Sequence, residues 1–275
     1  MNDPTPSLDE STVLQQLQVL RVNSQAGLSA QEWVAVEKPV AIEFNGISHA
    51  VMLASPANFH EFALGFALTE GIIASADEMY ECEVEHQAEG VVVKTTISSK
   101  RFAALKDRRR NLTGRTGCGL CGVETIDQAV RHPSVVTHRF ELAQGLLVSG
   151  MKKMHDMQPM HHQSGATHAA AWMDLQGEIK VVREDVGRHN ALDKLMGHLA
   201  LEAQDFSQGV VLITSRASFE MVQKCAAMGV GLMAAISAPT SLAVSLAQET
   251  GVTLIGYMRQ EKFVIYANPQ RVLIS

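Results

Sequence analysis

Residues 209–237, GVVLITSRASFEMVQKCAAMGVGLMAAIS, decide the fold of this chain. GVVLITS reads as an apolar strand. Ser218 starts a helix whose Met221, Val222, Cys225 and Ala226 face inward, and Gly229 closes it. VGLMAAIS is the next strand. The same rhythm extends both ways. Upstream, EIKVVRE is a strand and Asp185 caps a helix through NALDKLMGHLA. Downstream, a helix runs from Pro239 to Gln248, and VTLIGYM and FVIYA finish as strands. Apolar strands alternating with helices predict a mostly parallel sheet covered on both faces.

The first half reads differently. VAIEF and ISHAVML flank Asn45-Gly46, a pair that supplies the positive φ angles of a type I′ turn, so they predict a hairpin. Ser55-Pro56 can cap and start a helix that puts Phe59, Phe62, Ala63, Phe66 and Ala67 on one face and stops at Gly71; VVVKTTI from Val91 is another strand. A further helix is predicted from about Glu141 to near Asp156. The fold class is α/β, α+β overall, in three parts. Residues 1–35 are a flexible lead-in, 36–136 a smaller N-terminal α+β domain, and 137–275 a C-terminal three-layer α/β domain.

Of the 275 residues, 46% are hydrophobic and 19% charged, which suits a globular protein with a sizeable core. No apolar run approaches the ~18 residues that span a bilayer, and four cysteines do not suggest a disulfide scaffold, so a cytoplasmic location is the expectation. The net charge of −6 is unevenly spread: seven acids and no base lie in residues 70–89, eight bases and Asp107 in 94–115. The basic run is either a solvated face or an anion-steering patch. It has Phe102 but no interleaved aromatics, which argues against nucleic acid as the partner.

That run leads into RTGCGLCGVE, residues 115–124, where Cys118 and Cys121 form a CxxC among glycines. The spacing fits half a zinc site, a redox dithiol or a nucleophile that carries a group. Structural zinc lacks a second ligand pair, since Cys82 and Cys225 are isolated. Arg108, Arg109, Arg110 and Arg115 favour a thiolate, and flanking glycines let a carrier loop swing between partners. The histidines His155, His161, His162 and His168 fit no metal-binding pattern, and no metal site is predicted. His168 remains a candidate for a ligand pocket.

Three other stretches sit where an open α/β sheet holds ligands. EDVGRHNALDK brings Arg188 and His189 to a helix start, and TSRASFEM does the same with Ser215, Arg216 and Ser218, which suits an anion. YMRQEKFVIY, residues 257–266, links two strands through a turn with Arg259 and Lys262.

Taken in order, GRTGCGLCGVE, GATHAAAW, EDVGRHNALDKL, TSRASFEMVQK and GYMRQEKFVIYANPQR resemble the FdhD family of sulfur carriers for formate dehydrogenase maturation, over roughly residues 38–272. The resemblance implies a C-terminal domain of the cytidine-deaminase-like fold. It also implies a carrier that takes sulfane sulfur from a cysteine desulfurase of the IscS kind and passes it to the molybdenum cofactor of formate dehydrogenase. Cys118 matches the family's persulfide-carrying cysteine, with Cys121 as its partner. Tyr257, Met258, Arg259, Gln260, Glu261 and Lys262 match the stretch that binds that cofactor, bis-molybdopterin guanine dinucleotide, which a guanine nucleotide such as GDP can mimic. Partners implied are the desulfurase, the formate dehydrogenase apoprotein and a second copy of the chain. Family members often have two glycines where this chain has Gln260 and Glu261, so Glu261 must turn away from phosphate. The deaminase zinc signature is absent, because HAA lacks the glutamate of HAE and no PCxxC occurs, so deamination is excluded.

Overall fold

The computed structural model describes residues 13–24, 26–113, 133–259 and 261–274. Its larger half is built on a six-stranded sheet. The strands are β8 (His168–Asp174), β9 (Ile179–Asp185), β10 (Gly209–Ile213), β11 (Leu232–Ala235), β12 (Thr253–Arg259) and β13 (Lys262–Ala267), in the spatial order β13-β12-β11-β10-β8-β9. Alternation along each strand divides its side chains between two cores. Val211 and Ile213 join Ala170 and Trp172 on one face, whereas Val210 and Leu212 join Ala171 and Met173 on the other. A short parallel pair, β7 (Leu142–Ala143) with β14 (Val272–Leu273), ties the end of the chain to the start of this half.

The N-terminal sheet has the order β4-β3-β6-β5, from β3 (Lys38–Phe44), β4 (Ile47–Ala54), β5 (Met79–Gln87) and β6 (Gly90–Ile97). Asn45 and Gly46 turn β3 into β4 at φ 49° and 78°, as the Asn-Gly pair requires. Helix α1 (Phe59–Thr69) buries Phe62, Ala63, Phe66 and Ala67 on this sheet, and α2 (Ser99–Thr113) follows β6. In the larger half, α3 (Gln144–Asp156) covers one sheet face with Leu147, Met151 and Met154. The short α4 (Pro159–Ser164) precedes β8. Helices α5 (Arg188–Leu201), α6 (Phe219–Ala227) and α7 (Ser241–Thr250) cover the opposite face, giving three layers.

The structure departs from the sequence reading in three places. The large sheet is mixed rather than mostly parallel: β10–β11 and β11–β12 are parallel, but β8 runs antiparallel to both β9 and β10, and β13 runs antiparallel to β12. The β8–β9 and β12–β13 links are four residues or fewer, too short for the crossover that a parallel pair needs. Within the expected lead-in, β1 (Leu14–Val22) and β2 (Gly27–Ala35) form an antiparallel hairpin, with Val13 and Leu14 packed on Met160. Finally, neither Ser55 nor Asp185 caps a helix. Asn58, at φ 57°, precedes α1, and Gly187 precedes α5.

Ser55 and Asp185 instead join the two halves. Asp185 is fully buried and accepts hydrogen bonds from the Ser55 N–H at 3.0 Å and the Gly187 N–H at 2.8 Å; it also pairs with Lys194 Nζ at 2.6 Å. Lys194 Nζ donates to the Ser55 carbonyl as well. A second buried junction centres on Lys224, whose Nζ donates to Asp193, Glu70 and Thr69 Oγ1 at 2.9–3.0 Å. Burial opposes the Lys224 charge, but the two carboxylates outweigh it and raise its pKa. A third joins Glu61 of α1 to Arg183, which forks onto both carboxylate oxygens at 2.6 and 2.7 Å, and to His198 at 3.0 Å. Buried charges in such a seam are tolerated only when paired, and each of these is paired within a cluster whose bonds cross the junction of the two halves.

Candidate functional site

The 257–262 segment is shaped by a break in the β12–β13 ladder. The register shifts once between Leu254 and Ile255 and again after Gly256–Val264; pairing resumes only at Arg259–Lys262, which leaves Tyr257 and Met258 in a bulge. Tyr257 sits at φ 53°, a left-handed conformation that costs a non-glycine residue about 1 kcal/mol. Its N–H donates to the Ser237 carbonyl, which holds the bulge against the end of β11. As a result Met258 turns inward and is buried, whereas the Tyr257 side chain is half exposed.

Met258, Arg259, Glu261 and Lys262 line one cavity of about 1100 Å³. Its opposite wall is α3, through Val148, Met151, Lys152 and His155, and Ile236 and Phe263 complete an apolar floor. The volume is that of a nucleotide-sized site or larger. Three fixed cations, Lys152, Arg259 and Lys262, face one carboxylate, Glu261. Arg259 Nε donates to the Ile236 carbonyl at 3.3 Å, so its guanidinium is held at the end of β11. Such a cavity can hold a ligand with phosphates and a flat apolar part.

The other predicted residues divide. Gln260, Cys118, Cys121 and Arg115 lie outside the described residues. Arg216 and Ser218 are at the carboxyl end of β10, as the strand–turn–helix reading requires, but they do not line this cavity. Ser218 precedes α6 without a side-chain cap bond, and its Oγ, like Arg188 Nε, is buried with no partner among the described residues. Nearby, His189 Nε2 lies 2.7 Å from Glu220, and that contact holds the Glu220 carboxyl below its ordinary value. His168 opens β8, and burial followed by the charge of Arg188 lowers its pKa, which favours the neutral ring. The three stretches that the sequence placed at ligand-holding positions thus fall into two neighbourhoods, on opposite faces of the same sheet end.

Of the four clustered histidines, His161 and His162 lie on α4, His155 on α3 and His168 at the start of β8. Glu184 anchors the start of α4 by accepting from the N–H groups of Met160 and His161 at 3.0 and 2.8 Å, and Thr167 Oγ1 adds a third bond. Among the described residues, no group of three or more His, Cys, Asp or Glu side chains is placed to hold a metal ion. The remaining thiols are poor nucleophiles: burial pushes Cys82 up to about 11 and Cys225 higher still. Among the described residues, no helix is long and apolar enough to cross a membrane. The sequence reading missed the α3 wall. Its one signal was the spacing of Val148, Lys152 and His155, which an ordinary surface helix shares.

Comparison with known proteins places this geometry. The structure superposes with a TM-score of 0.73 on the crystal structure of a candidate formate dehydrogenase accessory protein from Desulfotalea psychrophila, covering 95% of this chain and all of that one; at 24% identity the likeness is one of fold. The chain is 52% identical over 256 residues to the sulfur carrier protein FdhD of Bordetella petrii, 92% of each chain being covered. It is 51% identical over 239 residues to the protein of that name from Cupriavidus necator, covering 87% of this chain and 83% of that relative. The sequence profile of the FdhD/NarQ family matches residues 35–273. The chain therefore belongs to the FdhD/NarQ family.

Proposed function

We propose that this protein carries sulfur for formate dehydrogenase maturation: it accepts sulfane sulfur as a persulfide on Cys118 and transfers it to the molybdenum cofactor, bis-molybdopterin guanine dinucleotide. The observation that carries this reading is the cavity, where four of the six residues matched to the cofactor-binding stretch converge with Lys152, and where neither Lys152 nor Lys262 has an ion pair among the described residues. Relatives that are 51–52% identical and named sulfur carriers support it.

In the first step the Cys118 thiolate attacks the outer sulfur of a desulfurase cysteine persulfide. The donor S–S bond breaks, a new S–S bond forms on Cys118, and the desulfurase thiolate leaves, with no net oxidation. The arginines preceding the loop favour the anionic forms of thiol and persulfide. In the second step the Cys121 thiolate attacks the inner sulfur and expels hydrosulfide toward the cofactor. The Cys118–Cys121 disulfide that results has supplied two electrons, and a thiol reductant must restore the dithiol. The cofactor is cargo throughout. Its guanine and phosphates fit the apolar floor and the cations of the cavity, and a desulfurase, the formate dehydrogenase apoprotein and a second copy of the chain are its partners in this scheme.

Mass spectrometry after incubation with a cysteine desulfurase and cysteine tests the carrier step. An adduct of about 32 Da that disappears in Cys118→Ala supports it, since persulfidation is a reversible thiol state. An unmodified protein with stoichiometric zinc on the CxxC would replace it with a cofactor-delivery chaperone whose CxxC is structural. A disulfide that cycles without any adduct would replace it with a dithiol oxidoreductase.

A further inference from the structure

We infer that α3 is the second half of the ligand site, with Lys152 as a positioning residue for the phosphates of the nucleotide cargo. This rests on reading the cavity as the guanine-dinucleotide site.

The helix presents one face to the sheet and one to the cavity, with Met151 at the boundary. Leu147 and Met154 are buried on the sheet, while Val148, Lys152 and His155, spaced by four and three residues, line the cavity. Adjacent lysines behave differently. Lys153 is tied down by Glu178 at 2.7 Å and the Gly177 carbonyl at 3.1 Å. Lys152 has no ion pair or hydrogen bond among the described residues, and neither does Lys262 across the cavity. Two unpaired ammonium groups and the Arg259 guanidinium on facing walls favour a multiply charged anion between them, because like charges brought together in a concavity are stabilised by a counter-charge. Among the described residues Glu261 is the one carboxylate lining the cavity, and it cannot neutralise three cations. The apolar floor below, from Met151, Met258, Ile236 and Phe263, suits a flat heterocycle and not a phosphate. The ligand is therefore oriented, with its ring on the floor and its phosphates bridging α3 and the β12–β13 turn.

Isothermal titration of the full-length protein with GDP, pyrophosphate and guanosine tests this. Lys152→Ala should weaken GDP and pyrophosphate about tenfold, the size of one charge-assisted contact, and leave guanosine unchanged. Lys152→Arg should recover most of the loss, and both variants should keep the wild-type melting temperature. If Lys152→Ala binds GDP as the wild type does while Arg259→Ala does not, the α3 assignment is overturned and the cavity reading stands. An equal loss for guanosine and GDP would overturn the phosphate role. A wild-type protein that binds neither GDP nor pyrophosphate overturns both.

Discussion

Gly65 of α1 and Gly197 of α5 meet where the two helices cross, so closely that a Cβ on Gly65 would lie 1.8 Å from the Asp193 carbonyl oxygen and one on Gly197 1.8 Å from that of Glu61. Both obstacles are helix backbone, which cannot swing aside. Gly65→Ala or Gly197→Ala should therefore separate the helices and cost about 3 kcal/mol or more. Urea unfolding midpoints measure this directly. A midpoint within error of the wild type would mean that the crossing is not tight in solution.

The Lys224 junction ties α6 to the same pair by charge, through Asp193 of α5 and Glu70 just past the end of α1. Lys224→Met leaves Asp193 buried without its counter-ion and should destabilise by about 3–5 kcal/mol. The double variant D193N/K224M removes the buried Asp193–Lys224 pair, leaving only the more exposed Glu70, and should lose less than K224M alone. A double loss equal to or larger than the single one would show that the pair itself, and not an orphaned carboxylate, dominates the cost.

Glu61 makes the seam sensitive to acid. Burial alone would raise its pKa, but the hydrogen bonds and charges of Arg183 and His198 hold it below its ordinary 4.5. The folded value lies below the unfolded one, so the stabilisation is fully present above about pH 4.5 and is lost as pH falls through the folded value. Glu61→Gln should therefore be less stable than wild type at neutral pH, by a margin that shrinks below pH 4.5. A margin that grows on acidification contradicts the assignment.

At the cavity, stability and binding should part. Tyr257→Gly relieves the positive φ and should leave unfolding stability unchanged or raised by about 1 kcal/mol. If the exposed ring contributes to the ligand, GDP binding should fall in the same variant. Glu261→Gly removes the one carboxylate from the cavity and should tighten GDP several-fold, most visibly at low salt. Unchanged affinity would show that Glu261 already turns away from the phosphates.

Local sequence carried the elements well. Period-two and period-3.6 patterns placed β10 to β13, α5 and α6 within a few residues, and Asn45-Gly46 predicted its turn, because both signals depend on neighbours in the chain. The family motifs pointed to 257–262 for the same reason, since each motif is a contiguous stretch of chain.

What remained hidden depends on contacts between distant residues. Ser55 and Asp185 both read as helix caps, since a short polar side chain before an apolar run has that local meaning; only their meeting, 130 residues apart, makes them a junction between the halves. Lys152 and Lys153 are adjacent and chemically equal in sequence. The helix turn points one at Glu178 and the other into the cavity facing Arg259 and Lys262. Sequence by itself determined most of the strands and helices of the larger half, the family and one wall of the cavity. The tertiary structure decided which faces meet, because periodicity marks an element's buried side but carries no record of its partner.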